Sequence, residues 1–162
     1  MKKYLVVLLA IVCCGCASLL PPTVTMHRPA NEWNYQYVYI TPTTETTSVS
    51  GGAIGGYYGI YGATSSHSVN PTDIITGHFI NKGYIRIADI KPEIEDKTLV
   101  INYGETTRGY SGFSRKVGVV IQIVSANTNE LVCVCSGEGI GETDAQAIRN
   151  AIDICLEAFF NQ

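Results

Sequence analysis

Charge is what this sequence has least of. Only 15% of its 162 residues are Asp, Glu, Lys or Arg, and none of these lies between Glu45 and Asp73. Basic residues are the scarcer sign, 11 against 14 acidic, for a net charge of -3. Without Lys2 and Lys3, which belong to a segment expected to be removed, nine basic residues face 14 acidic ones, or -5. A domain with that balance has no basic stripe to displace counterions from a phosphate backbone, so nucleic acid is excluded as a partner. Histidine is equally scarce: His27, His67 and His78 are scattered, with no spacing suited to a metal. No apolar run reaches the ~20 residues that a spanning helix needs. Apolar content is nonetheless 46%, enough for a packed core, and the length suits one domain.

What is present begins at the N-terminus. Met1, Lys2 and Lys3 form a short positive region, residues 4–12 are compactly apolar, and Cys13-Cys14-Gly15-Cys16-Ala17-Ser18 follows at once. This is the composition of a secretory signal, over residues 1–15. Its end resembles a bacterial lipobox, in which a small residue precedes the cysteine that becomes the mature N-terminus. Gly15 and Cys16 fill the last two places, and Cys13 stands where Leu is usual. The resemblance implies a diacylglycerol thioether on Cys16 and an acyl chain, typically palmitate, on its amine. Two or more chains, at about 0.8 kcal/mol per buried CH₂, anchor stably. Ala17 rather than Asp after the cysteine implies sorting to the outer membrane, with the domain facing the periplasm. Residues 16–30, with two adjacent prolines and a third later, read as an extended tether.

Residues 31–162 read as one domain. Residues 32–43 (EWNYQYVYITPT) alternate, with Trp33, Tyr35, Tyr37 and Tyr39 on one face and Val38 and Ile40 on the other, which predicts a strand ending at Pro42. Asn70-Pro71-Thr72-Asp73 is a helix start, with Asn as cap, Pro in the first turn and Asp near the positive pole. Ile75 and Phe79 supply its buried stripe and Gly83 its stop. Strands are expected over residues 84–88, 98–103, 116–126 and 130–136, the last two joined through Asn127-Thr128-Asn129. Thr143 and Gln146 form a capping box, and Ile148, Ile152, Cys155 and Phe159 an apolar stripe, for a final helix. The order predicts an α+β fold: a mainly antiparallel sheet of four to five strands with two helices on one face.

With these elements placed, the chain resembles small envelope lipoproteins whose domain is similar to the N-terminal domain of TolB. Residues 74–86 (IITGHFINKGYIR), 98–104 (TLVINYG), 119–136 and 137–151 (GEGIGETDAQAIRNA) carry the likeness. It covers the mature domain except for a Gly/Tyr insertion, and it implies fold and location more than activity.

The search for chemistry is largely negative. Gly137, Gly139 and Gly141 lie between a strand and a helix, but their spacing is not that of a dinucleotide fingerprint, and Glu138, Glu142 and Asp144 would repel a pyrophosphate. They read instead as a flexible or bulged bend into the last helix. Ser65-Ser66-His67 and Ser111-Gly112-Phe113-Ser114 do not form a nucleophile elbow. No enzyme, cofactor or metal is expected. Cys133, Cys135 and Cys155 remain in the mature domain. A bridge from Cys155 to Cys133 or Cys135 needs Cα atoms within about 7 Å, and free buried thiols are the preferred reading.

The insertion, residues 43–69, is the unusual feature. It holds a Thr/Ser run and then GGAIGGYYGIYG. It reads as a partner-binding loop, a glycan-stacking surface made by Tyr57, Tyr58 and Tyr61, a membrane-touching hairpin, or a loop folded over the sheet. The leading expectation is a non-catalytic binding or assembly lipoprotein, held to the membrane through Cys16, whose partner is another envelope protein or cell-wall glycan. The alternative is an oligomeric secretion or pore-assembly lipoprotein, similar to the one that exports curli subunits. Its spanning strands would need about 9–11 alternating positions each. The insertion is the one candidate, and its glycines interrupt the alternation.

Overall fold

A computed structural model describes residues 20–27, 34–43, 46–50, 54–56, 59–61 and 65–161. The strands are β1 (Thr23–Met26), β2 (Tyr37–Ile40), β3 (Thr46–Ser50), β4 (Ile54–Gly56), β5 (Gly59–Tyr61), β6 (Ser65–Val69), β7 (Ile85–Arg86), β8 (Thr98–Ser111), β9 (Ser114–Ser125) and β10 (Leu131–Gly141). The helices are α1 (Pro71–Asn81) and α2 (Asp144–Phe160), with a short 3-10 helix at Pro92–Lys97.

Six strands form the main sheet, in the order β1-β10-β9-β8-β2-β7. The α+β class is as expected, but the sheet is mixed rather than mainly antiparallel. β2 runs parallel to both neighbours, Tyr37 to Ile40 opposite Thr98 to Ile101 and Tyr37-Val38 opposite Ile85-Arg86. Parallel neighbours need a long crossover, and residues 41–84, including α1, supply the one from β2 to β7. The sheet gains its sixth strand within the segment read as a tether. Thr23–Met26 is extended, as that reading supposed, and is paired antiparallel on the β10 edge, Thr23 opposite Ser136.

Both helix starts follow the sequence signals. The Asn70 side chain accepts from the Thr72 N–H at 3.0 Å, and Gly83, at φ +91°, follows the last turn of α1. At α2 the Thr143 hydroxyl accepts from the Gln146 N–H at 3.2 Å, while the Gln146 amide oxygen takes the Glu142 N–H at 3.0 Å. Both helices cover one face of the sheet. Val38, Leu99, Ile101, Val117, Ile121 and Ile123 meet Ile75 and Phe79 of α1 and Ile148, Ile152 and Leu156 of α2 in one fully buried cluster. The alternation of 32–43 is resolved in favour of its aliphatic face. Val38 and Ile40 are buried, Tyr37 and Tyr39 half-buried, and the strand proper is shorter than expected.

Two expectations are corrected in β10. Gly137, Gly139 and Gly141 are not a bend: the strand runs through them, opposite Val119, Val117 and Arg115 of β9. α2 lies directly on this strip. A Cβ on Gly139 would sit 2.1 Å from the Ala147 carbonyl oxygen and 2.4 Å from the Ala151 nitrogen, so only glycine lets the helix backbone come this close. The second correction concerns sulfur. Cys135 and Cys155 form a disulfide across that interface, with Cα atoms 5.8 Å apart. Among the described residues the free thiol, the preferred reading, survives only in Cys133, which is buried and unbridged.

Candidate functional site

Three features lie outside the packed core: the N-terminal exit, the far end of the β8–β9 hairpin, and the insertion. β1 is antiparallel to β10, so the chain traced back from Thr23 runs toward the Gly141 end of that strand. Leu20 reaches the level of Glu138, whose Oε2 accepts the Leu20 N–H at 3.3 Å and lies 2.7 Å from Lys116 Nζ. The Lys116 hydrogen bond holds the Glu138 carboxyl below its ordinary range, against the opposing effect of burial and with help from the Leu20 N–H.

The same end of the sheet carries the tip of the longest hairpin. β8 and β9 stay paired to Ser111 opposite Ser114, and Gly112 (φ +62°) with Phe113 closes the turn. Phe113 is fully exposed, at 107%, and Tyr110 is 67% exposed. The Arg115 guanidinium stacks 4.3 Å from the centre of the Tyr110 ring and donates to its hydroxyl. Arg108 bonds Glu105 at 2.6 Å, and Arg108 and Arg115 flank Asp144 at 3.5 and 3.6 Å. Asp144 is in the first turn of α2, so the tip is braced against the helix. Ser111-Gly112-Phe113-Ser114, no nucleophile elbow by sequence, is a hairpin turn that the expected strand bounds of 98–103 and 116–126 do not include. A glycine between two long period-two runs is the signal that would have found it.

The insertion is not a loop folded on itself at random. β3 pairs with β6, Thr46 opposite Val69 through Ser50 opposite Ser65, and β4 pairs with β5, Ile54 opposite Tyr61 through Gly56 opposite Gly59. Three residues separate the two ladders on each side, 51–53 and 62–64, so both keep one register. The base is fixed to α1: the Thr43 hydroxyl lies 3.0 Å from Asn70 Oδ1 and 2.8 Å from the Thr72 hydroxyl. Ser65, Ser66 and His67, read as loop, belong to β6.

Of the residues singled out from sequence, Cys16, Tyr57 and Tyr58 lie outside the described residues, and residues 1–15 do too. Tyr61 ends β5, opposite Ile54. His78 Nε2 lies 2.8 Å from Asp153 Oδ1, tying α1 to α2. Cys133 is sealed in the core, and burial pushes its thiol up to about 11. Among the described residues no helix is long and apolar enough to cross a membrane.

No family model and no curated protein matches the chain. Among solved structures, a PelC dodecamer variant from Paraburkholderia phytofirmans is 14% identical, with a TM-score of 0.49 over 85% of this chain and 94% of that one. A second PelC dodecamer structure from the same organism is 13% identical, with a TM-score of 0.48 and the same coverage. Likeness at that level assigns this chain neither a family nor an activity.

Proposed function

We propose that the chain is a lipid-anchored protein of the cell envelope with a non-catalytic binding or assembly role in the periplasm, and that the insertion is its contact arm. The observation that carries this reading is the shared register of the two insertion ladders. Residues 46–69 hold no Asp, Glu, Lys or Arg, and their described strands pair as two short antiparallel ladders. A two-stranded ribbon is marginal by itself, and both its edges offer backbone groups to an added strand. An extended segment of another envelope protein satisfies those edges, with the glycines giving it close approach. Export is supported by the lipobox-like 13–16 segment and by the Cys135–Cys155 bridge, since such bonds persist in oxidising compartments.

Deletion of residues 50–66 tests the arm. The shortened protein should melt as the parent does while losing a partner crosslinked in intact cells. Unchanged crosslinking would refute the arm's role. Intact-mass analysis tests the anchor separately: residues 1–15 should be absent and fatty acid present on Cys16.

One observation favours the oligomeric alternative. The described strands on each side, Thr46–Ser50 with Ile54–Gly56 and Gly59–Tyr61 with Ser65–Val69, fall within eleven sequence positions, and a spanning strand needs about 9–11. Arms from several copies would close a barrel that one copy cannot. Light scattering of the detergent-solubilised protein decides this reading, because a monomer is incompatible with it.

A further inference from the structure

We infer that the β8–β9 tip is a second membrane contact, with Phe113 inserted among the lipid headgroups and Tyr110 and Arg115 at the water boundary. This rests on the acylation of Cys16 proposed above, and adds the orientation of the domain on the bilayer. The case is one of distances along a common axis. Glu138, which holds the Leu20 N–H, is opposite Gly118 of β9, and Ser114 at the tip lies four residues farther along that strand. At ~3.4 Å per residue the tip stands about 14 Å beyond the level of Leu20. Cys16 precedes Leu20 by four residues, and an extended chain of that length spans at most about 14 Å. An anchor with so little slack holds the domain within reach of the bilayer at the end where Leu20 leaves the sheet. The tip is at that end, at matching height.

The side chains there suit such a surface. Phe113 has no protein partner for its ring among the described residues, and Leu20, 65% exposed, adds a second apolar group below it. Tyr110 and Arg115 are amphipathic pairs of ring and cation, the types that settle where hydrocarbon meets water. The local charges cancel, Arg108 and Arg115 against Glu105 and Asp144, and Lys116 against Glu138. Attachment is therefore by apolar insertion and should be nearly insensitive to salt.

The test uses the full acylated protein carrying Phe113→Trp, reconstituted into phosphatidylethanolamine–phosphatidylglycerol vesicles with and without acyl-chain bromination, and the parent protein as the baseline for Trp33. The position is exposed, and a urea melt equal to the parent's verifies that the variant folds. The inference expects the added indole emission to be blue-shifted, quenched severalfold by the brominated lipid, and shielded from acrylamide. Emission that stays water-like and open to acrylamide would overturn it. So would an indole shielded from acrylamide yet untouched by bromolipid, which would mean a protein partner. The anchor reading fails differently, through the absence of fatty acid in the intact mass.

Discussion

Gly139→Ala is the sharpest test of how α2 sits on the sheet. The added methyl carbon would lie 2.1 Å from the Ala147 carbonyl oxygen and 2.4 Å from the Ala151 nitrogen, both backbone atoms with no rotamer to move. Relief requires α2 to rise by about 1 Å, and a gap of that size forfeits a quarter to a half of each dispersion contact beneath the helix. Ala147, Ile148, Ala151, Ile152, Cys155 and Leu156 all have zero exposure on that face. Overpacking of this kind costs about 1–3 kcal/mol, and an immovable backbone contact puts Gly139 at or above the upper end. Reduced chain entropy in the unfolded alanine variant returns only ~0.4–1 kcal/mol. With a urea slope of about 2 kcal/mol/M, the midpoint should fall by about 1 M. Gly137 is the internal control. Its Cβ would meet the Ala151 oxygen at 3.1 Å and Cys155 Cβ at 3.4 Å, so Gly137→Ala should cost clearly less. Equal midpoints for Gly139→Ala and the parent, or a larger loss at Gly137, would refute the close-contact account.

The bridge between Cys135 and Cys155 closes a loop of sequence separation 20, so Cys155→Ser should lower stability by about 3 kcal/mol in equilibrium unfolding. Alkylation of the unfolded mature protein should add one group before reduction, on Cys133, and three after; three before reduction would contradict the bridge. Native Cys133, its thiol pushed up to about 11 by burial, should resist alkylation at pH 8 and react at the rate at which the domain opens. Glu138 gives a pH test. Its folded value is depressed, so its contribution is present above the unfolded carboxylate value and lost as pH falls through the folded one. Glu138→Gln should cost at most about 1 kcal/mol at pH 7, and the difference should vanish toward pH 3 in parallel urea melts.

The parts of the fold that were legible are those with local causes. Asn70-Pro71-Thr72 begins α1 and Thr143 with Gln146 begins α2, because a cap and its helix are neighbours in sequence. Asn129, at φ +56°, turns β9 into β10 as a residue tolerant of left-handed backbone. The illegible parts have distant causes. Thr23–Met26 is only four residues long and follows two prolines, and β10, more than a hundred residues on, offers it an open edge to pair with. The parallel partners of β2 are also remote, Thr98 to Ile101. Gly137, Gly139 and Gly141 read as breakers by propensity, whereas the approach of α2 makes glycine the residue that fits. The insertion's ladders were hidden for a similar reason: glycine and absent charge argue against a strand interior, but not against a short hairpin ladder.

The brace beneath the tip bears on what the exposed phenylalanine is for. Glu105 opens the exposed stretch of β8, and the hairpin is irregular there, with a register shift between Glu105 and Thr107. Residues 106–110 beyond it are exposed, so packing contributes little to holding them. What holds them is the backbone ladder to β9 and a set of polar contacts: Glu105 on Arg108, Asp144 between Arg108 and Arg115, and Arg115 on the Tyr110 ring. Each such contact at a wet surface contributes no more than about 1 kcal/mol, and together they fix direction more than they add stability. A tip without a binding role gains nothing from a fixed direction, since a turn of any orientation would join β8 to β9. Here the brace starts at the first turn of α2, itself locked to the sheet by the glycine strip and the Cys135–Cys155 bridge. The rigidity of the core is thereby carried to Phe113, on the end where Leu20 departs, and a rigid apolar point spends little conformational entropy on meeting a surface.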